Sequence, residues 1–179
     1  MRGNVCVSAL LVAIVIGCGG GGLVLAVPPQ SVASEDVIQQ DLAGLVRAAP
    51  LIVVGKVADI QPGRVAGSGE GRLQFNDVRV TVERRLKGEP PAALILEQVD
   101  MTGRTFIGLG PAYKTGERYM LFLRPGEGDR YITIPQGRYL LRWWGGVRPT
   151  QAGPVADKLK GMGESKFIEE IGAIVGSGS

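Results

Sequence analysis

The sequence predicts a mainly β fold, a small closed barrel of five or six strands with a helix packed at each end. Three observations predict it. Short apolar, β-branched segments follow one another from residue 51 to residue 144, separated by turns rich in glycine and proline. One segment, RYMLFLR (118–124), has apolar residues at both odd and even positions, as is typical of a strand buried on both faces. Helical patterns bracket the strands, so we expect Leu121 to face the barrel interior and Phe122 to face a helix.

The two flanking helices are predicted from their caps and apolar spacing. The N-terminal helix begins near Ser34, whose side chain can cap it, and is ended by Pro50. Its inner face carries Ile38, Leu42, Leu45 and Val46. The C-terminal end is predicted to be helical in two pieces, 155–160 and 165–175. The second piece carries an apolar stripe made of Phe167, Ile168, Ile171, Ile174 and Val175.

Six segments are predicted to form the strands. They are LIVVGKVADI (51–60), LQFNDVRVTVERRL (73–86), ALILEQV (93–99), RYMLFLR (118–124), YITI (131–134) and RYLLRWW (138–144). In the second segment, Leu73 and Phe75 are out of phase with the valines of 78–82, which predicts a bulge between them. Residues 64–72 and 100–117 are predicted to be loops. The predicted barrel core includes Val53, Val80, Leu96 and Leu121.

Composition restricts the chemistry that the chain can perform. There are 20 Lys and Arg against 17 Asp and Glu, a balanced surface that argues against a nucleic-acid-binding protein. The chain has no histidine, and its two cysteines, Cys6 and Cys18, both precede the predicted domain. The commonest general base, zinc ligand and nucleophilic thiol are therefore missing from the body of the chain. We predict no cofactor and no metal site.

Residues 1–34 are predicted to be an export signal or anchor followed by a linker. Arg2 supplies a positive start, and residues 5–17 are apolar. The tetrapeptide that ends at Cys18 (VIGC, 15–18) resembles a bacterial lipobox, in which the cysteine receives a diacylglyceryl group. We therefore predict that Cys18 is lipidated, that residues 1–17 are removed, and that the glycines of 19–22 form a flexible tether.

Two alternatives remain for this N-terminal segment. Residues 5–27 are long enough to cross a bilayer as one helix, although four consecutive glycines would weaken it. Signal peptidase could instead cut after Ala33, which would release a secreted protein. All three interpretations place the body of the chain outside the cytoplasm.

The order of four segments resembles the netrin-like module. They are a helix, AAPLIVVGKVADI (48–60), a strand that ends in VERRLKGE (82–89), and KTGERYMLFLRP (114–125). That family includes the tissue inhibitors of metalloproteinases, and the resemblance implies an OB-fold domain over residues 35–175, with 176–179 as a tail. The metalloproteinase inhibitors begin their domain with a Cys-x-Cys motif that binds the zinc of the protease. This chain has no cysteine there, so the resemblance does not imply protease inhibition.

The stretch RYLLRWWGG (138–146) is the most suggestive of a binding site. If it is a strand, Trp143 and Trp144 point to opposite faces, so one fills the core. The other, near Arg142 or Arg148, could stack on a sugar or a peptide. The alternative is that both tryptophans are packed, the second under the terminal helix.

Two long loops, 62–72 and 100–117, are predicted to flank neighbouring strands, where an OB barrel binds its ligands. Their cations and single tyrosine suit a polar or anionic ligand better than an apolar one. The candidate residues are Arg64, Arg72, Arg104, Tyr113 and Lys114. The alternative is that these residues merely cover solvated loops.

These patterns predict a non-enzymatic binding or scaffolding module, tethered to the outer face of the cell membrane through its N-terminus. Its partner would be an envelope protein or a polar or anionic envelope ligand, and not a nucleic acid. The alternative function is an envelope glycan or peptide hydrolase that uses two carboxylates. Six acidic residues near strand ends are candidates for that role: Glu83, Glu97, Asp100, Glu117, Glu127 and Asp129.

Overall fold

The computed structural model describes residues 41–69, 72–100, 110–159 and 161–177, and these form a β-barrel with short helices at both ends. The helices are α1 (Leu42–Ala48), α2 (Pro154–Lys158) and α3 (Glu164–Ser177). The strands are β1 (Leu51–Ala66), β2 (Leu73–Lys87), β3 (Ala93–Val99), β4 (Arg118–Pro125), β5 (Arg130–Leu141) and β6 (Val147–Pro149). The predicted helix cap at Ser34 and the predicted lipidation at Cys18 lie outside the described residues.

The barrel closes in the order β1-β2-β3-β5-β4-β1. Strand β1 pairs antiparallel with both β2 and β4, and β2 pairs with β3. Strand β5 pairs antiparallel with β4 and closes the barrel through a short parallel contact with β3, at Ile95–Arg130 and Leu96–Tyr131. Strand β6 adds to β5 outside the closed ring. The predicted fold class, a mainly β OB-like barrel with flanking helices, is confirmed.

An ion pair lies beside the closing contact. Nε and Nη2 of Arg130 in β5 donate to the two carboxylate oxygens of Asp77 in β2, each at 2.9 Å. These hydrogen bonds lower the pKa of the Asp77 carboxyl below its ordinary value, because they favour the charged form. The pair thus ties β5 to the strand beyond β3, where the strand pairing itself is short.

Two buried clusters lie on opposite faces of β4, as its sequence pattern predicts. Leu121 belongs to the cluster inside the barrel, and Phe122 belongs to the cluster under the helices. The interior cluster also contains Val53, Val80 and Leu96, so the predicted barrel core is confirmed. The outer cluster contains residues of α1 and α3: Leu42, Leu45, Val46, Phe167, Ile168 and Ile171. The helices therefore bury the second apolar face of the sheet.

Helix α1 is held at both of its ends by polar contacts. The carboxylate of Asp41 caps its start by accepting a hydrogen bond from the Gly44 amide at 2.7 Å. Near its end, Nζ of Lys87 in β2 donates to the Val46 carbonyl at 2.7 Å, where the helix dipole favours a cation. The helix ends at Ala48, before the predicted breaker Pro50.

The predicted bulge is found in β1 rather than in β2. Between the pairs Pro62–Asn76 and Val65–Gln74, residues 63 and 64 of β1 stand opposite Phe75 alone. A Cβ on Gly63 would lie 2.6 Å from the Asp77 carboxylate, so glycine fits this close approach. The prediction of a loop over residues 64–72 is wrong for 64–66, which continue β1 because they pair with β2.

The two predicted strands at 131–134 and 138–144 are one strand, β5, which ends earlier than predicted. Residues 134–137 stand opposite Phe122 alone, and this bulge accommodates Pro135 without loss of the strand. Because β5 ends at Leu141, the residues after it form a turn rather than a strand.

Candidate functional site

The turn between β5 and β6, residues 142–146, is called the Trp turn below. The Arg142 amide donates to the Gly146 carbonyl at 2.8 Å, and the Gly145 amide donates to the Arg142 carbonyl at 2.9 Å. Gly145 has φ +82°, a conformation that glycine adopts without strain. The Glu164 amide, at the start of α3, donates to the Gly145 carbonyl at 2.6 Å. Backbone contacts therefore order the turn and fix it to α3.

Both tryptophans of the Trp turn project into solvent. Trp143 is 90% exposed and Trp144 is 59% exposed. Their rings meet edge to face, with centroids 5.5 Å apart, and the Arg142 guanidinium lies 4.9 Å from the Trp144 ring centroid. The prediction that one tryptophan fills the core is wrong, and so is the alternative that both are packed. The physical reason is that strand alternation stops at Leu141.

A shallow groove of about 400 Å³ runs between the Trp turn and the start of α3. Its lining residues include Trp144, Arg142, Arg148 and Met162. Glycine backbone from both segments forms much of the remaining surface. One depression therefore brings together an aromatic residue, two arginines and glycine backbone.

Of the predicted loop residues, Arg64 has a structural role. Its Nε and Nη2 donate to the two carboxylate oxygens of Glu97 at 2.7 and 2.9 Å, which ties β1 to β3. Its guanidinium also lies 4.5 Å from the centroid of the Phe75 ring. These contacts engage the Arg64 side chain within the protein.

Tyr113 is buried, unlike the surface residue that the loop hypothesis predicts. Its hydroxyl shares a hydrogen bond of 2.6 Å with the Thr133 hydroxyl, and its ring meets the Tyr119 ring edge to face. Burial raises the pKa of the Tyr113 hydroxyl because it disfavours the phenolate. Arg72 and Lys114 are exposed, and Arg104 lies outside the described residues. The predicted loop residues therefore differ in exposure: Tyr113 is buried, whereas Arg72 and Lys114 are exposed.

Sequence reasoning missed Arg138, a charged residue that is only 5% exposed. Its Nε donates to the Thr150 hydroxyl at 3.2 Å, its Nη2 donates to the Pro111 carbonyl, and its guanidinium covers the Tyr113 ring. Its neighbour Tyr139 faces the outer cluster, so strand alternation turns Arg138 to the opposite side of β5. That alternation is the signal that could have found it.

Most of the candidate carboxylates are engaged by neighbouring donors. Arg118 pairs with Glu83 at 2.7 Å, and Arg64 pairs with Glu97 and, at 3.3 Å, with Glu127. In addition, the Tyr119 hydroxyl donates to the Glu117 carboxylate, and the Arg130 guanidinium lies 3.9 Å from the Asp129 carboxylate. Within the described parts of the chain, no group of three or more metal-ligating side chains is placed to hold an ion.

The described helices are also too short or too polar to cross a membrane. A scan against protein-family models finds no matching family, and a search of curated proteins finds no significant match. The functional conclusion therefore rests on the geometry of the site and on the sequence patterns.

Proposed function

We propose that this protein is a non-enzymatic binding module of the cell envelope, tethered at Cys18, whose Trp turn contacts a polar or anionic envelope ligand. The observation that carries the proposal is the exposed pair Trp143 and Trp144. The lipobox-like sequence before Cys18 supports the tether.

The Trp turn is suited to binding because its order does not depend on the tryptophan side chains. Backbone hydrogen bonds to Arg142 and Glu164 hold it in place while both rings remain in solvent. Paired large apolar side chains on a surface are typical of an interaction site. A ligand that covers them gains apolar contact at little cost in ordering, since the turn is already fixed.

The chemistry around the tryptophans favours a polar ligand that carries negative charge. An indole face can stack on the flat face of a sugar or peptide group. Arg142 and Arg148, which line the same groove, can donate paired hydrogen bonds to a carboxylate or phosphate. An envelope glycan or peptide with acidic groups offers both features. The engagement of Glu83 and Glu97 by arginines favours this binding role over the hydrolase alternative.

Binding can be tested by co-sedimentation with cell-wall material stripped of membrane. The whole chain is used in a Cys18→Ser background, so that a lipid cannot cause retention. We expect this protein to sediment with the wall material and the variant Trp143→Ala/Trp144→Ala to remain in solution, with a nearly unchanged melting temperature. Val65→Ala, which truncates an exposed apolar side chain elsewhere on the barrel, is the matched control and should still bind.

A second double variant distinguishes binding at the Trp turn from binding at the loops 62–72 and 100–117. If Arg104→Ala/Lys114→Ala abolishes sedimentation while the tryptophan variant still binds, the ligand is held by the loops. If no protein sediments with the wall material, the proposed binding role is wrong for that part of the envelope.

The tether has its own test, which is the intact mass of the protein extracted from membranes. We expect a chain that begins at Cys18 and carries added lipid, because signal processing at a lipobox leaves the modified cysteine first. Cys18→Ser should stall processing or release the protein, whereas Cys6→Ser should do neither. A mature chain that begins at Ser34, or an unprocessed chain, would contradict the tether.

A further inference from the structure

A cleft opens where β3 and β5 diverge beyond their short parallel contact. The two strands pair only at Ile95–Arg130 and Leu96–Tyr131. Beyond these pairs lies a cavity of about 240 Å³, which is called the β3–β5 cleft below. Residues 97–99 of β3 and residues 132–135 of β5 form its sides, and Tyr113 also lines it. The cleft is separate from the Trp turn, which shares no lining residue with it.

Arg138 lines this cleft and is the one buried charged residue within the described parts of the chain. No described carboxylate lies within 4.0 Å of its guanidinium. Four more exposed arginines, by contrast, have carboxylate partners: Arg64, Arg85, Arg118 and Arg130. The arginine that is most removed from water therefore has no described counter-ion.

A buried cation without a counter-ion is costly, and its described contacts offset only part of that cost. The carbonyl of Pro111, the hydroxyl of Thr150 and the Tyr113 ring, 4.3 Å away, all stabilise the positive charge. They are neutral groups, and the two hydrogen bonds leave further guanidinium N–H donors for a ligand. A carboxylate is the group that matches a guanidinium in both charge and geometry.

We propose that the β3–β5 cleft binds a small carboxylate with an apolar body, and that Arg138 holds its carboxylate group. Val99, Ile132 and Ile134 line the same cleft and provide apolar contact for the rest of the ligand. Glu97 also lines the cleft, but its two oxygens accept hydrogen bonds from Arg64, which compensate its negative charge. This inference does not depend on the function proposed for the Trp turn.

The volume of the cleft limits the size of the ligand. At about 240 Å³ it lies below the usual range of roughly 300–1,000 Å³ for pockets that take drug-sized molecules. It therefore suits a small organic acid, or the last residue of a peptide that ends in a free carboxylate. Both sources offer the same chemistry, an anionic carboxylate next to an apolar group.

Ligand-observed NMR on the whole chain tests this proposal with matched probes. N-acetyl-leucine and N-acetyl-leucinamide share an apolar body, and only the first carries a carboxylate. We expect the acid to bind and the amide to bind roughly tenfold more weakly or worse, because a charge-assisted pair is lost. A third probe, 4-methylpentanoate, distinguishes the sources: equal binding indicates a free acid, and weaker binding than N-acetyl-leucine indicates a peptide end.

Three variants locate the site. Arg138→Met should lose the preference for the acid over the amide, whereas Arg124→Met, which alters an exposed arginine of β4, should keep it. Val99→Phe should weaken acid binding by narrowing the cleft without touching Arg138, and it keeps the test valid if Arg138→Met fails to fold. Equal binding of acid and amide, failure of both to bind, or unchanged acid binding in Val99→Phe would overturn the proposal.

Discussion

Truncation of Leu121 to alanine is expected to lower the free energy of unfolding by about 2–5 kcal/mol, the range measured for a leucine in a well-packed core. Leu121 is fully buried inside the barrel. It pairs with Val53 of β1 on one side and with Arg138 of β5 on the other, so its strand is central to the barrel. Chemical denaturation at equilibrium measures the loss.

The control for this truncation is Val65→Ala, which removes apolar atoms from an exposed position on β1. Its effect on the free energy of unfolding should be within about 0.5 kcal/mol. A loss below about 0.5 kcal/mol for Leu121→Ala as well would contradict the placement of β4 between β1 and β5.

The second large effect is expected at Gly137, in the bulge of β5. A Cβ there would lie 2.7 Å from Cγ1 of Ile134, 2.9 Å from the Ile134 carbonyl oxygen and 2.9 Å from Cβ of Phe122. Two of these atoms belong to backbone or to the base of a buried side chain, so they cannot move aside freely. Gly137→Ala should therefore destabilise the protein by about 1–3 kcal/mol or more, as overpacking of a core does.

Gly172→Ala is the matched control and should act in the opposite direction. Gly172 lies within α3, and a Cβ on it would meet nothing within 4 Å. Alanine in the middle of a helix is more stable than glycine by about 0.5–1 kcal/mol. The same substitution thus has opposite signs at the two positions, and a neutral Gly137→Ala would contradict the tight packing of the bulge against Phe122.

The fold could be predicted because local pattern and burial agree along the central strand. The apolar residues of 118–124 at both parities require two buried faces, which a barrel covered by helices provides. The bulges were predicted less well, because their positions depend on the register between strands. The need for glycine at position 63 and the pairing of 64–66 with β2 follow only from the register, which brings the Asp77 carboxylate close to Gly63.

The sequence indicates which residues form the candidate site, but it does not indicate which of them are exposed. Trp143 and Trp144 are the residues that the sequence favours, yet strand alternation extended past Leu141 assigns one of them to the core. The burial of Tyr113 and Arg138 depends on partners far away in the chain, Thr133 and Pro111, which no local pattern indicates. Arg64 is likewise engaged by Glu97, thirty-three residues later.

The measurement that tests the proposed contact most directly is the intrinsic tryptophan fluorescence of the protein with soluble fragments of the cell wall. The chain contains two tryptophans, and both lie in the Trp turn, so the emission reports on that turn alone. Since both rings are exposed, the free protein should emit as solvated tryptophan does and be quenched readily by acrylamide. We expect fragments that bind to shift the emission and to protect it from acrylamide in a saturable manner. Saturable binding of the same fragments with unchanged emission and unchanged quenching would contradict a contact at the Trp turn.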